Sequence, residues 1–331
     1  MNELLAEGPY FDDLSLGDVF DTAPPATLTE AAAAVHGAIV GERLRLALDH
    51  DLSRRVTGEA APLAPPSLVW DLAIGQSTPV THHVRANLFY RGLAFRRAPA
   101  LGDTLRTRTE VVGLRQNAPR PDRAPTGLVA LRITTVDQAD RTVLDFWRCA
   151  MLPMRDPSAR TGHADDLSRV GRGIEDPAAL VAGWRLEPFR ESLPPSLRRN
   201  LVADTRWRLV GGDVVSSAPE LARLTLNIAR THHDDEAGTR LVYGGHTIGL
   251  ALTQAVRVLP EMLTVLAWHG CDHTGPVREG DTLTSTVEAQ GVEPGPDGSR
   301  LAHLRSLVTA RSGPGDESRG VLDWRYVVLL P

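Results

Sequence analysis

Residues 90 to 113, YRGLAFRRAPALGDTLRTRTEVVG, align with residues 268 to 291, WHGCDHTGPVREGDTLTSTVEAQG. A second pair, VLDFWRCAMLP (143 to 153) and VLDWRYVVLLP (321 to 331), aligns at the same displacement: Asp103 falls on Asp281 and Asp145 on Asp323, 178 residues apart in both cases. Two matches at one offset identify a tandem duplication. Such a chain folds as two similar units, and 331 residues are enough for each to bury its own core.

Each copy carries the same order of elements. Leu105, Thr107, Thr109 and Val111 alternate with Arg106, Arg108 and Glu110, the period of a strand with one buried face. Further strands follow at LVALRITTV and TVLDFWRCAML. Upstream, PPSLVWDLAIGQS places Leu68, Val69, Leu72 and Ala73 on one helical face, and its counterpart HTIGLALTQAVRVL does so with Ile248, Leu252, Ala255, Val256 and Leu259. A shorter helix precedes each, near residues 29 to 41 and 217 to 229; Ser217 and Glu220 stand at capping-box spacing at the start of the second. The expected fold is α+β, a tandem hot dog in which each curved antiparallel sheet wraps one central helix. Residues 1–155 form the first unit and residues 186–331 the second. Residues 156–185, rich in Pro, Gly, Ser and charge, read as the linker.

A net charge of -5 supplies no global basic field for nucleic acid or an anionic membrane, so a phosphate-bearing ligand has to meet a local arginine cluster. The start, MNELLAEGPYFDD, has neither a basic nor an apolar targeting region, and no run approaches the roughly 18 apolar residues of a membrane span. Cys149 and Cys271 are the only cysteines, and both read as buried thiols in a reducing compartment. The expectation is a cytoplasmic protein acting on small molecules, with homodimer formation left open.

Chemistry concentrates in LNIARTHHDDEAGTRLVYGGHTIG, residues 226 to 249. His232 can exchange a proton near neutrality after a small environmental shift. YGGHTIG opens the central helix, where unpaired N–H groups and the positive dipole end face any docked ligand. The same stretch also reads as a solvated loop after a helix, and Asn227 as a helix C-terminal residue. In WHGCDHTG, period-two spacing puts His269, Cys271 and His273 on one strand face. Side chains four residues apart on a strand lie about 13 Å from each other, too far to share an ion, so no metal site is expected. His273 or Asp272 could instead line a pocket.

PYFDDLSLGDVF, VVGLRQN, RLVYGGHTIGLALTQA and EGDTL together resemble the MaoC-like, (R)-specific enoyl-CoA hydratase family in its double hot-dog form, and within it the mesaconyl-CoA hydratase type and a mycobacterial branch beside it. The similarity spans nearly the whole chain outside the linker. It implies a hydratase that adds water to a 2-enoyl-CoA thioester, with coenzyme A as part of the substrate and no separate cofactor. The family's catalytic histidine falls on His232, its later acidic residue on Asp234, and its catalytic aspartate on Asn227. Ala229 and Arg230 replace an Asn-Pro pair. The resemblance also implies that the Gly244 N–H holds the thioester oxygen, with Gly245 beside it. A carboxamide can orient a water but cannot take its proton, so the missing aspartate's work falls to His232 or to a further group. In the first copy Glu42 stands near the aspartate position and Ala47 at the histidine position, so that copy has lost its own site. Tyr90, Arg91, Arg97 and Arg115 are the candidate contacts to the acyl-CoA, or else ordinary sheet-edge residues. A thioesterase or a non-catalytic acyl-CoA binding protein on the same scaffold are the alternatives.

Overall fold

The computed structural model describes residues 3–4, 6–121, 123–171, 173–174, 176–197, 201–234 and 240–331. The first half contains β1 (Val19–Phe20), β2 (Ala26–Thr27), α1 (Glu30–Val40), α2 (Arg45–Leu48), α3 (His50–Thr57), α4 (Pro66–Gln76), β3 (Ala86–Phe95), β4 (Thr104–Gln116), β5 (Thr126–Val136) and β6 (Thr142–Pro153). After the connecting segment come α5 (Glu187–Ser192), β7 (Thr205–Arg208), β8 (Asp213–Val214), α6 (Ala218–Leu224), α7 (Gly244–Val258), β9 (Thr264–His273), β10 (Thr282–Pro294), β11 (Arg300–Arg311) and β12 (Arg319–Leu330). α4 and α7, β3 and β9, and β4 and β10 all begin 178 residues apart, so the displacement read from the sequence recurs in the elements.

All pairings are antiparallel, and one continuous sheet runs β1-β4-β5-β6-β3-β9-β12-β11-β10-β7. The halves meet where β3 pairs β9, with Tyr90 opposite Cys271 and Arg91 opposite Gly270. Alternation decides which face is covered. In β4, Leu105, Thr107, Thr109 and Val111 are buried, while Arg106 and Arg108 face solvent. The two central helices lie in the concavity and touch each other; all eleven residues of α4 are buried. Between them Asp71 Oδ2 meets His36 Nε2 at 2.9 Å, and the Tyr243 hydroxyl donates to the Asp71 carbonyl at 3.1 Å. No helix among the described residues is long and apolar enough to cross a membrane.

In the connecting segment Leu167 packs with Phe89, Ala130 and Cys149, whereas Val181 and Trp184 pack with Leu263, Leu266 and Val327. Two local expectations change. The Ser217 capping box does not form: Ser217 is left-handed at φ 57°, and Glu279 Oε1 accepts from the Ala218 N–H in its place. The helix it opens stops at Leu224, because Leu226 turns left-handed at φ 59°.

Candidate active site

That left-handed turn sets Asn227. Its backbone N–H donates to the Ala222 carbonyl at 2.9 Å, and its Oδ1 accepts from the Ala229 N–H at 3.0 Å. The first half braces the turn from outside: Thr78 Oγ1 accepts from the Ile228 N–H, and Gly75 of α4 touches Thr225. A Cβ on Gly75 would lie 1.8 Å from the Thr225 carbonyl oxygen, so only glycine permits this approach. The equivalent turn in the first half has Gly41 at φ 75° followed by Glu42, whose Oε1 accepts from the Leu44 N–H at 2.7 Å. Glu42 and Asn227 therefore do the same local work in the two copies.

His232 follows on a short 3-10 turn, Arg230–His232. Its Nδ1 lies 2.9 Å from the Leu241 carbonyl, which can only accept. Nδ1 therefore carries the proton, and Nε2 keeps a free lone pair. Burial pushes the imidazole pKa down to about 4. Tyr243 and Gly244 come next, where α7 begins and its first N–H groups have no partner within the helix. The His273 ring lies over Gly244; a Cβ there would fall 2.6 Å from His273 Nε2. His273 Nε2 has no hydrogen-bond partner, and burial, with His232 nearby, lowers its pKa to about 4. Two neutral imidazoles thus flank one helix N-terminus.

These groups line a cavity of about 350 Å³ between the halves. The second half contributes Asn227, His232, Tyr243, Gly244 and His273; the first contributes Thr78, Thr81, Asn87, Tyr90 and Arg148. Tyr90 is buried, and burial drives its phenol pKa upward. No Asp or Glu is among the described residues lining this space.

Five residues expected to bind substrate lie outside the cavity. Gly245 packs between the central helices, where a Cβ would fall 2.0 Å from Asp71 Oδ1. Asp234 is exposed and paired with Arg230 at 3.3 Å, on the wall of an outer cleft. Arg97 is held by Asp103 at 2.8 Å and Asp137 at 3.0 Å. Arg91 stacks on Phe89 and donates to the Ser168 carbonyl of the connecting segment. Arg115 borders a separate groove beside Gln116 and Arg160. The common-face expectation for His269, Cys271 and His273 also fails. The β9 register with β12 skips His269, which turns outward to His303 at 3.0 Å, while Cys271 joins the core and His273 the cavity.

Arg148 and Asn87 were not anticipated, and His273 only as a pocket wall. The repeat contained a signal for the first two: its other copy has Tyr326 for Arg148 and Val265 for Asn87.

Two hot-dog units in one chain, with a polar cavity at the N-terminus of one central helix, define a double hot-dog protein whose candidate site lies at that helix. No family profile matches the sequence. The solved structure of Rv0216 from Mycobacterium tuberculosis, described as having a double hot-dog fold, is 56% identical over 97% of this chain and 98% of that one, with a TM-score of 0.91. A putative MaoC domain protein dehydratase from Chloroflexus aurantiacus is 26% identical, covers 98% and 97%, and has a TM-score of 0.86. In sequence, the β-methylmalyl-CoA dehydratase of Chloroflexus aurantiacus is 29% identical over 98% of this chain and 97% of its own length. The mesaconyl-CoA hydratase of Cereibacter sphaeroides is 28% identical over 98% of each. The chain belongs to the MaoC-like double hot-dog family.

Proposed function

We propose that this protein is an acyl-CoA hydratase/dehydratase, adding water to a 2-enoyl-CoA thioester and removing it in reverse. The observation that carries this reading is the placement of His232, with its Nε2 lone pair free, in the same cavity as the Gly244 N-terminus of α7. The thioester oxygen accepts from the Gly244 N–H, which stabilises the enolate as negative charge develops there. His232 Nε2 takes a proton from the water that bonds to the β-carbon and returns it to the α-carbon, so one imidazole serves as base and then acid. Asn227 cannot take the proton, and its Oδ1 is already engaged by Ala229; it orients the water or the acyl group. Coenzyme A arrives as part of the substrate, and the chemistry draws on no separate cofactor.

An outer cleft of about 720 Å³ shares Val84, Arg85, Thr231 and Leu241 with the inner cavity. Arg85, Arg230, Arg240 and Arg278 line it, a set of guanidiniums suited to the phosphates of coenzyme A. The names of the two sequence relatives, both hydratases or dehydratases of CoA thioesters, support the same reaction class.

The test is a panel of 2-enoyl-CoA and saturated acyl-CoA esters, following double-bond absorbance and free thiol together. The expected result is loss of absorbance without thiol release. His232→Ala should lower turnover by about a hundredfold or more while leaving acyl-CoA binding in place. Thiol release alone, or full activity in His232→Ala, would overturn the reading.

A further inference from the structure

His273 has no task in the hydration step described above, yet it lies where the thioester oxygen would dock. It is the last residue of β9, opposite Leu322 of β12, and its ring meets that of Tyr90 in a T-shaped contact at 5.9 Å between centroids. A side chain on a paired strand with an aromatic neighbour has a fixed direction. The Nε2–Cε1 edge faces the first residue of α7: a Cβ on Gly244 would fall 2.6 Å from Nε2 and 2.7 Å from Cε1. Only glycine lets the ring come so close. Nε2 is buried without a partner among the described residues, a costly state that native structures seldom retain.

The two cavity histidines differ in what their protons can do. The Leu241 carbonyl fixes the proton of His232 on Nδ1, which leaves its Nε2 a base. No such bond commits Nε2 of His273, which is free to carry the proton and donate it in a hydrogen bond. Burial lowers the pKa of His273 to about 4, so at neutral pH the ring is an uncharged donor.

The duplication supplies a control within the molecule. At the positions of Gly244 and His273 the other copy has Pro66 and Phe95, which line one small apolar pocket together. Proline has no backbone N–H, and a phenyl ring has none either. The two donors are therefore present together in one copy and absent together from the other, as expected of groups that serve one acceptor.

We infer that His273 is a second catalytic residue, whose ring N–H donates to the thioester oxygen beside the Gly244 N–H, so that the enolate forms between two donors. The inference rests on the hydratase reading above. His273 keeps its proton throughout: water still bonds to the β-carbon, and His232 still takes and returns the proton that moves. Donors fixed in advance around a developing oxyanion are among the largest contributions an enzyme makes to such a step.

The test compares wild type, His273→Phe and His273→Gln in the hydration of crotonyl-CoA. His273→Phe installs the residue of the other copy and should lower kcat by about a hundredfold to a thousandfold. The acid limb of the pH profile, set by His232, should stay in place. His273→Gln restores an N–H and should recover about tenfold or more of the loss. The carbonyl stretch of bound butyryl-CoA, labelled with 13C at the thioester carbon, should fall in wild type and fall less in His273→Phe. If His273→Phe does not fold, His273→Leu against His273→Gln carries the same comparison of similar side chains with and without an N–H. Full kcat in the variants without an N–H, or one carbonyl frequency in all the proteins, would overturn the role of His273 and leave the hydratase reading standing. Failure of wild type to hydrate crotonyl-CoA or any other 2-enoyl-CoA of the panel would overturn that reading and this inference with it.

Discussion

His232 and His273 are imidazoles kept neutral by burial, each with a pKa pushed down to about 4 from an ordinary value near 6.5. A base works only when unprotonated, and proton uptake at His232 begins only as the pH approaches 4. The kcat/KM for hydration should therefore stay level from pH 8 to about 5 and fall as the pH drops further. A fall centred near 6.5 would mean a solvated imidazole and contradict the geometry. At this scale the sequence was informative where the candidate site draws on one contiguous stretch. His232, Asn227 and Gly244 lie within residues 226 to 249 and meet in one cavity. Arg148, Asn87 and His273 come from strands far away in the chain, and nothing local distinguishes an arginine aimed at a cavity from the solvated ones around it. The arginines that were singled out, Arg91, Arg97 and Arg115, have partners or places of their own on the sheet and its loops.

The two central helices occupy matching places and begin differently. α7 opens with Gly244, whereas α4 opens with Pro66, 178 residues earlier. Proline has no N–H, so the first half cannot offer a backbone donor at that point. Gly245 has a different duty, since it lets α7 approach α4. Gly245→Ala would drive a Cβ to 2.0 Å from Asp71 Oδ1, in a place where Asp71 is already tied to His36 and Tyr243. That overpacking should destabilise the fold by about 1–3 kcal/mol. A lower urea midpoint would show it, and an unchanged midpoint would mean that the helices are not locked together there. Element identity was legible because alternation and helical periodicity are local. The end of α6 and the outward turn of His269 were not, because Leu226 and the β9 register are set by tertiary packing against α4 and β12.

Across the whole molecule, duplication has divided the labour. Tyr90, Arg148, Gly244 and His273 line the cavity, and the matching positions on the other side are Trp268, Tyr326, Pro66 and Phe95. Trp268 and Tyr326 join Trp70 and Trp324 among the largest fully buried side chains, and Ala47 stands at the position of His232. The pocket beside Pro66 and Phe95 has a volume of about 10 Å³. The symmetry-related place, drawn like the cavity from both halves, is an aromatic core, and the two-unit organisation was readable from the repeat because both copies keep the same strand pattern. The central claim is that this asymmetric pair has one acyl-CoA site, assembled from both halves. A structure of the protein with a bound saturated acyl-CoA tests it most directly. The account predicts one ligand per chain, with its thioester oxygen on the Gly244 N–H and its β-carbon facing His232 Nε2. A ligand beside Pro66, two ligands per chain, or a thioester remote from Gly244 would contradict it.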